Sequence, residues 1–204
     1  MTIVDPVMCV WPHQAPDEIR HVSLRFEAGQ CVAIDGERGD PLSIMQRANA
    51  LAGACGIGLK SALENRVIGT KSRGVYEAPG LELLGFGLRV VYQAVLDRRA
   101  TSLLQTLSPL YAQAIYDGRV FEPQARAVLA AIDSLAHYAT GTVALGLYRG
   151  NLYFEALRDC PHSLYNPADA SMEASEGLNP VSSQGYVEIQ QVEAKALAKA
   201  GQIG

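Results

Sequence analysis

The chain has 204 residues, a formal net charge of -4, 49% hydrophobic residues and 19% charged residues. This composition is typical of a globular protein with a well-filled core, arranged as one or two domains. The mildly acidic balance, without a long basic run, argues against nucleic acid or an anionic membrane surface as a partner.

The N-terminal segment predicts an irregular arm followed by a β-hairpin. Residues 1–18 contain three prolines and no periodicity, which favours an arm that docks on another surface. Residues 21–37 alternate apolar and polar side chains on both sides of Ala28-Gly29. This alternation indicates two strands joined by a tight turn.

A helix is predicted after the hairpin. Asp40 and Pro41 are typical of the residue before a helix and of its first residue, and the pattern ends at Gly53 or Gly56. The predicted apolar stripe of this helix consists of Leu42, Met45, Ala48, Asn49 and Ala52.

Three further helices are predicted in the middle of the chain, and we expect them to pack together. They cover about residues 80–98, 101–117 and 122–138. The last of them has an apolar stripe that consists of Ala125, Val128, Leu129, Ile132, Leu135 and Ala136.

Strand patterns return in the C-terminal part. Residues 141–157 alternate across Arg149-Gly150-Asn151, which indicates a second hairpin, and "GYVEIQQ" near residue 185 predicts one more short strand. Residues 167–184 are acidic and turn-rich, and "VEAKALAKA" predicts a short helix that ends at Gly201.

These elements predict an α+β fold with a mainly antiparallel sheet covered by helices. The expected organisation is a docking arm at 1–18, an α+β domain at 19–190 and a C-terminal helix and tail at 191–204 that serves oligomerisation.

No targeting or metal-binding pattern stands out. Apolar stretches are interrupted well before the roughly 20 residues that a membrane span needs, and the N-terminus lacks the basic head and apolar centre of a signal peptide. The four cysteines lack CxxC spacing; they are Cys9, Cys31, Cys55 and Cys160. We therefore expect a cytoplasmic protein with reduced, mostly buried thiols, no metal site and no membrane contact.

Motifs for phosphate binding and metalloprotease chemistry are missing as well. The sequence contains no GxxxxGK[ST], no GxGxxG after a strand, no SGGxD loop and no HExxH. Its histidines lack acidic neighbours that would form a triad or a metal cluster, so we expect structural roles for His13, His21, His137 and His162.

One stretch, "ENRVIGTKSRGVYEAPG" at residues 64–80, concentrates polar chemistry. It holds two glutamates, three cations, three glycines and one tyrosine just before a predicted helix start at Pro79-Gly80. Helix starts favour anions, so the stretch combines features that could meet both charges of a small ligand.

The side chains in this stretch suit a zwitterionic amino acid. Lys71 and Arg73 can complement a carboxylate, and Glu64 or Glu77 can pair with an ammonium group. Tyr76 can donate a hydrogen bond. The alternative is that these residues pair with one another, for example Glu64 with Lys71 or Arg73, to satisfy a buried turn.

Extended by one residue to 63–80, the stretch "LENRVIGTKSRGVYEAPG" resembles the signature of the C-terminal synthetase domain in the argininosuccinate synthase family. Other stretches resemble the family in the same order, and the similarity extends over about residues 16–190. They are "FEAGQCVAIDG", "GIG", "YDGRVFEPQ", "TGTVALGLYRGN" and "SLYN".

The resemblance implies an ATP-dependent, AMP-forming ligase that joins citrulline to aspartate. Matched position by position, it implies that Glu64 and Tyr76 contact the amino-acid substrate. Lys71, Ser72 and Arg73 match the signature equally well, and contact with substrate, shaping of the loop and a subunit contact remain open for them. No catalytic residue is assigned in this chain.

The resemblance also implies what this chain lacks. The family's first half carries the SGGxDTS loop for ATP, which does not occur here, so ATP with Mg would be bound only through a separate ATP-pyrophosphatase-like subunit. Family members are tetramers with exchanged C-terminal elements, so we expect a homo- or hetero-oligomer. The resemblance thus favours the C-terminal half of a split ligase that is inactive alone.

Departures from the family pattern keep other interpretations open. Cys55, Leu59 and Ser61 stand where the family usually has histidine, arginine and aspartate, which changes the charge beside the signature. A changed substrate in a specialised pathway is one consequence. A non-catalytic scaffold that keeps the fold, or a fragment of a full-length argininosuccinate synthase, are the alternatives.

Overall fold

The computed structural model of the chain describes residues 5–167 and 180–202. The chain divides between Leu164 and Tyr165 into two compact units. In chain order the elements are β1 (Arg20–Glu27), β2 (Gln30–Ile34), β3 (Glu37–Arg38), α1 (Pro41–Ala54), β4 (Leu59–Asn65), β5 (Lys71–Glu77), α2 (Pro79–Val95), α3 (Arg98–Tyr116), α4 (Pro123–Ala136), β6 (Gly141–Tyr148), β7 (Asn151–Arg158) and α5 (Pro180–Lys199). Helices and antiparallel sheets together confirm the predicted α+β class.

Five strands of the first unit form one antiparallel sheet in the order β3-β2-β1-β6-β7. Both predicted hairpins are confirmed, β1–β2 and β6–β7. Their two-residue turns are Ala28-Gly29 and Arg149-Gly150, and all four residues have positive φ. Positive φ at both positions is what a type I′ turn requires, and this turn matches the twist of paired strands.

Helices α1 and α2 cover one face of this sheet. Val22, Leu24 and Phe26 alternate along β1 and are at most 2% exposed. They belong to one core cluster with Ile44 of α1 and Leu83 of α2. Burying a side chain of this size contributes about 1.5–3 kcal/mol, so each of these residues stabilises the packing of the helices on the sheet.

Helix α1 begins as its sequence predicts. The Asp40 carboxylate accepts hydrogen bonds from the N–H groups of Leu42 (2.9 Å) and Ser43 (3.2 Å). The predicted apolar stripe is wrong at its first position, because Leu42 is 67% exposed while Ile44 and Ala48 are buried. The buried face follows i, i+4 spacing from Ile44.

The three central helices contribute different numbers of buried residues to the core, with most of them from α2 and none from α3. Helix α3 packs on α4, while α2 packs mainly on α1 and the sheet. Ala100 and Leu104 of α3 and Leu135 of α4 reach the edge of the core. Leu129 was predicted on the buried stripe of α4 and lies at the surface instead.

The N-terminal arm lies on the end of α1. Residues 5–18 contain no helix or strand, and the Val10 N–H donates to the Gly53 carbonyl (3.0 Å). A Cβ at Gly53 would overlap the Met8 carbonyl, so the close approach requires glycine. The described part of the arm thus docks on its own chain, and docking on a neighbouring subunit stays a prediction.

The long helix α5 lies in the second unit. The short strand predicted near residue 185 is wrong, because Pro180–Lys199 is a continuous helix. Within it Gln184 Nε2 donates to Glu188 Oε1 (2.9 Å), an i,i+4 contact of the helix surface. The predicted end at Gly201 agrees with its positive φ of 71°. Most of the predicted turn-rich segment, residues 167–184, lies outside the described residues. Among the described residues, no helix is long and apolar enough to span a bilayer.

Candidate functional site

The polar stretch at residues 64–80 lies mostly on a β-hairpin that the sequence pattern did not predict. Strands β4 and β5 pair with each other and with no strand of the main sheet, and Glu64 lies opposite Ser72. Successive side chains of a strand point to opposite faces. The hairpin therefore divides the residues of the motif between two faces.

One face brings together Glu64, Tyr76, Ser72 and Arg66. The Tyr76 hydroxyl donates to Glu64 Oε1 (2.5 Å), and Arg66 Nη2 lies 3.5 Å from the same oxygen. Arg66 Nε also donates to Ser72 Oγ (2.8 Å). The two residues assigned to substrate contact are thus direct neighbours, and Ser72 belongs to the same face.

The other two candidates do not join this group. Lys71 and Arg73 lie at alternate positions of β5, on the opposite face, and Arg73 Nε donates to Ser61 Oγ (3.1 Å). Glu64 does pair within the stretch, as that alternative expects, but its partners are Tyr76 and Arg66 and not Lys71 or Arg73. Arg66 stood in the motif but was not predicted as a site residue.

The neutral Tyr76 phenol and the Glu64 carboxylate form a hydrogen-bonded pair that solvent can reach. The Glu64 side chain is 24% exposed and Tyr76 is 44% exposed. The hydrogen bond to Glu64 raises the pKa of Tyr76, because ionising the phenol would place two anions together. A carboxylate has about four acceptor positions, so the pair can also accept hydrogen bonds from a ligand's ammonium group.

Glu77, the second candidate for an ammonium group, has a structural partner instead. Its carboxylate accepts hydrogen bonds from the N–H groups of Val7 (2.8 Å), Met8 (2.6 Å) and Cys9 (2.8 Å). These backbone hydrogen bonds, that from Val7 first, lower the pKa of Glu77. Glu77 therefore ties the arm to the base of the hairpin.

The start of α2 is satisfied by the protein itself. The Gly80 N–H donates to Asn49 Oδ1 (2.8 Å). Glu82 lies in the first turn and forms an ion pair with Lys60. An additional anion would meet the Glu82 carboxylate there, so this helix start is a poor carboxylate site despite its sequence pattern.

A comparison with protein-family models matches residues 7–197 to the family described as "Arginosuccinate synthase C-terminal domain". The chain belongs to this family. The match confirms the resemblance of the sequence motifs and extends slightly beyond the region of about residues 16–190 that they covered.

Curated argininosuccinate synthases are similar over nearly the whole chain. The enzyme of Granulibacter bethesdensis is 40% identical over 194 residues, which cover 95% of this chain and 46% of that protein. The enzyme of Syntrophus aciditrophicus is 39% identical over 178 residues, covering 87% of this chain and 44% of that protein. The chain thus spans about half the length of the curated argininosuccinate synthases it matches.

One histidine, His21, has an acidic partner that was not predicted from the sequence. His21 Nδ1 lies 2.8 Å from Glu155 Oε1, so the expectation of isolated histidines is wrong at this position. The two residues are far apart in sequence but close in space because β1 and β7 both pair with β6. Both side chains are solvent-accessible, and among the described residues no group of three His, Cys, Asp or Glu could hold a metal ion.

The cysteines are free thiols, as predicted. Cys9 and Cys55 are buried, and Cys31 and Cys160 are partly buried. Burial raises the pKa of each thiol, for Cys31 to about 11. A raised pKa keeps the thiol protonated at neutral pH, and the thiolate is the reactive form. These cysteines are therefore packing residues in this domain.

Proposed function

We propose that the chain supplies the amino-acid-binding half of an ATP-dependent, AMP-forming carbon–nitrogen ligase. The observation that carries the proposal is the Glu64–Tyr76 pair, which lies on an accessible face of the hairpin. The substrate class is a zwitterionic amino acid, with citrulline as the first candidate because the matched relatives are named argininosuccinate synthases.

In the proposed reaction, ATP transfers AMP to the ureido oxygen of citrulline and pyrophosphate leaves. The amine of aspartate then attacks the ureido carbon, and AMP leaves with the oxygen. Glu64 binds the ammonium group of citrulline through a charge-assisted hydrogen bond, and Tyr76 hydrogen-bonds a polar group of the substrate. These contacts hold the substrate while the reaction occurs at the other end of the molecule.

ATP with Mg is bound by a second component in this proposal. An ATP-pyrophosphatase-like subunit, equivalent to the half of the relatives that this chain does not match, provides the nucleotide site. The assembly is a homo- or hetero-oligomer. Glu64 and Tyr76 would have the same roles if the nucleotide-binding domain belonged to the same, longer polypeptide.

The test is a reconstitution with the unmatched, N-terminal half of the Granulibacter bethesdensis enzyme. We expect AMP and pyrophosphate to form only when both polypeptides, citrulline and aspartate are present. Glu64→Gln should reduce this activity, whereas Glu37→Gln, at an exposed ion pair with Arg47, should not. AMP formation that does not need this chain, or two halves that associate without forming AMP, would refute the proposal.

A further inference from the structure

The aromatic ring of Tyr76 lies directly over the backbone of Gly74. A Cβ at position 74 would lie 2.6 Å from Tyr76 Cζ and 2.7 Å from its phenol oxygen. Ordinary van der Waals contacts of a Cβ fall at 3.4–4 Å. The ring therefore occupies the space that any other side chain at position 74 would need.

The register of the hairpin explains why the ring lies there. Glu64 is opposite Ser72, which is four residues from Tyr76 along β5. Four residues of a strand span about 13 Å. The Tyr76 hydroxyl reaches Glu64 because its side chain leans along the strand across position 74, where Gly74 pairs with the small Ala62.

Glu64 has a second contact, with Arg66, which follows β4 in the turn of the hairpin. Arg66 Nη2 lies 3.5 Å from Glu64 Oε1, and Arg66 Nε donates to Ser72 Oγ (2.8 Å). The same carboxylate oxygen thus contacts both a guanidinium group and a phenol. Losing either contact would allow it to adopt other rotamers, and a flexible carboxylate binds a ligand more weakly because ordering it costs entropy.

We infer that Gly74 is a positioning residue of the candidate substrate site: its missing side chain lets Tyr76 lie flat and hold Glu64 in one orientation. The link to substrate binding rests on the proposed function. The space over Gly74 that accommodates the Tyr76 ring, called the tyrosine seat below, is a property of this chain alone. Gly74 itself contacts no substrate.

The test of the tyrosine seat uses the full 204-residue chain with tyrosine labelled at ¹³Cζ. The Tyr76 signal is identified by its loss in Tyr76→Phe. In the parent chain its titration midpoint should lie above the ordinary tyrosine value of about 10, because the hydrogen bond to Glu64 raises the pKa. In Gly74→Ala the midpoint should return towards the ordinary value.

The matched control is Gly85→Ala, because a Cβ at Gly85 of α2 meets nothing within 4 Å. It should leave the Tyr76 titration unchanged. An unchanged midpoint in Gly74→Ala would overturn the inference. Loss of the folded amide spectrum in Gly74→Ala would also overturn it, since Gly74 would then serve the fold and not the site.

Citrulline titration of the reconstituted complex tests the link to function. Gly74→Ala should weaken binding by about 2- to 10-fold, the effect of losing one hydrogen bond. It should cause no further loss when Tyr76→Phe is already present, because the two changes remove the same contact. A changed Tyr76 midpoint with unchanged affinity would refute the proposed role of the pair in binding and leave the tyrosine seat intact.

Discussion

Two carboxylates on one hairpin, Glu64 and Glu77, have different partners and therefore different roles. Glu64 accepts from the Tyr76 hydroxyl and lies beside Arg66 on an accessible face. Glu77 accepts hydrogen bonds from the backbone N–H groups of Val7, Met8 and Cys9 in the N-terminal arm. Both glutamates were predicted from the sequence as possible ligands of an ammonium group. Their surroundings make Glu64 the candidate binding group and Glu77 a structural one.

The Glu77 contact predicts a pH-dependent attachment of the arm. Its pKa is lowered in the folded chain, so the contact contributes stability above the unfolded pKa of about 4.3 and loses it as pH falls through the folded pKa. The amide signals of Met8 and Cys9 should therefore titrate with a midpoint below about 4.3 in NMR spectra.

A matched pair of variants tests this assignment at neutral pH. Glu77→Gln should increase hydrogen exchange of the Met8 and Cys9 amides, because a neutral amide oxygen accepts these hydrogen bonds less strongly than a carboxylate. Glu37→Gln should not change it. Equal exchange in Glu77→Gln and the parent chain would show that the carboxylate does not hold the arm.

At the scale of elements, the sequence predicted most of the strands and helices that have a periodic apolar pattern. The strands β1, β2, β6 and β7 and the helices α1 and α4 have a periodic pattern because one side of each meets the core. The hairpin β4–β5 was missed because much of it is exposed: Leu63 is 80% exposed, and Ile68 in its turn is 82% exposed. Apolar residues in a turn also conceal the usual polar turn signal.

The candidate site was partly predictable in the same way. The resemblance of the motif pointed to Glu64 and Tyr76. Only the strand register shows that Ser72 lies on the face of Glu64 and Tyr76, whereas Lys71 and Arg73 lie on the opposite face. Assuming a strand there, i and i+2 spacing would have placed Gly74 on the Tyr76 face.

For α5, β-branched and aromatic residues in "GYVEIQQ" suggested a strand, and the helix formers that follow extend a helix through it instead.

Two glycines of α2 give a prediction about packing between elements. A Cβ at Gly87 would lie 2.8 Å from Leu24 Cδ1 and 3.1 Å from Phe26 Cε2, in the filled core. Gly87→Ala should lower the free energy of unfolding by about 1–3 kcal/mol. Gly85→Ala should raise it by about 0.5–1 kcal/mol, because the site is open and alanine favours a helix. Urea unfolding measures both, and an equal gain in the two variants would contradict the close approach of α2 to β1.

At the scale of the whole molecule, the chain corresponds to about half of its argininosuccinate synthase relatives. Its sequence contains no GxxxxGK[ST] motif, no GxGxxG motif after a strand and no SGGxD loop. We predict that the purified chain alone does not catalyse ATP–pyrophosphate exchange with any amino acid. Exchange above a heat-denatured control, by a preparation free of other polypeptides, would contradict a separate nucleotide site.

The most direct test of the central claim is a calorimetric titration of citrulline into the reconstituted complex that carries Glu64→Gln. The substitution keeps the shape of Glu64 but removes its charge, so binding should weaken by about 1.5–3 kcal/mol. The free energy of unfolding should change by about 1 kcal/mol or less, because the Arg66 contact is a solvent-accessible ion pair. Unchanged citrulline binding, accompanied by a loss of about 3–5 kcal/mol in stability, would instead identify Glu64 as part of a structural pair and contradict the account.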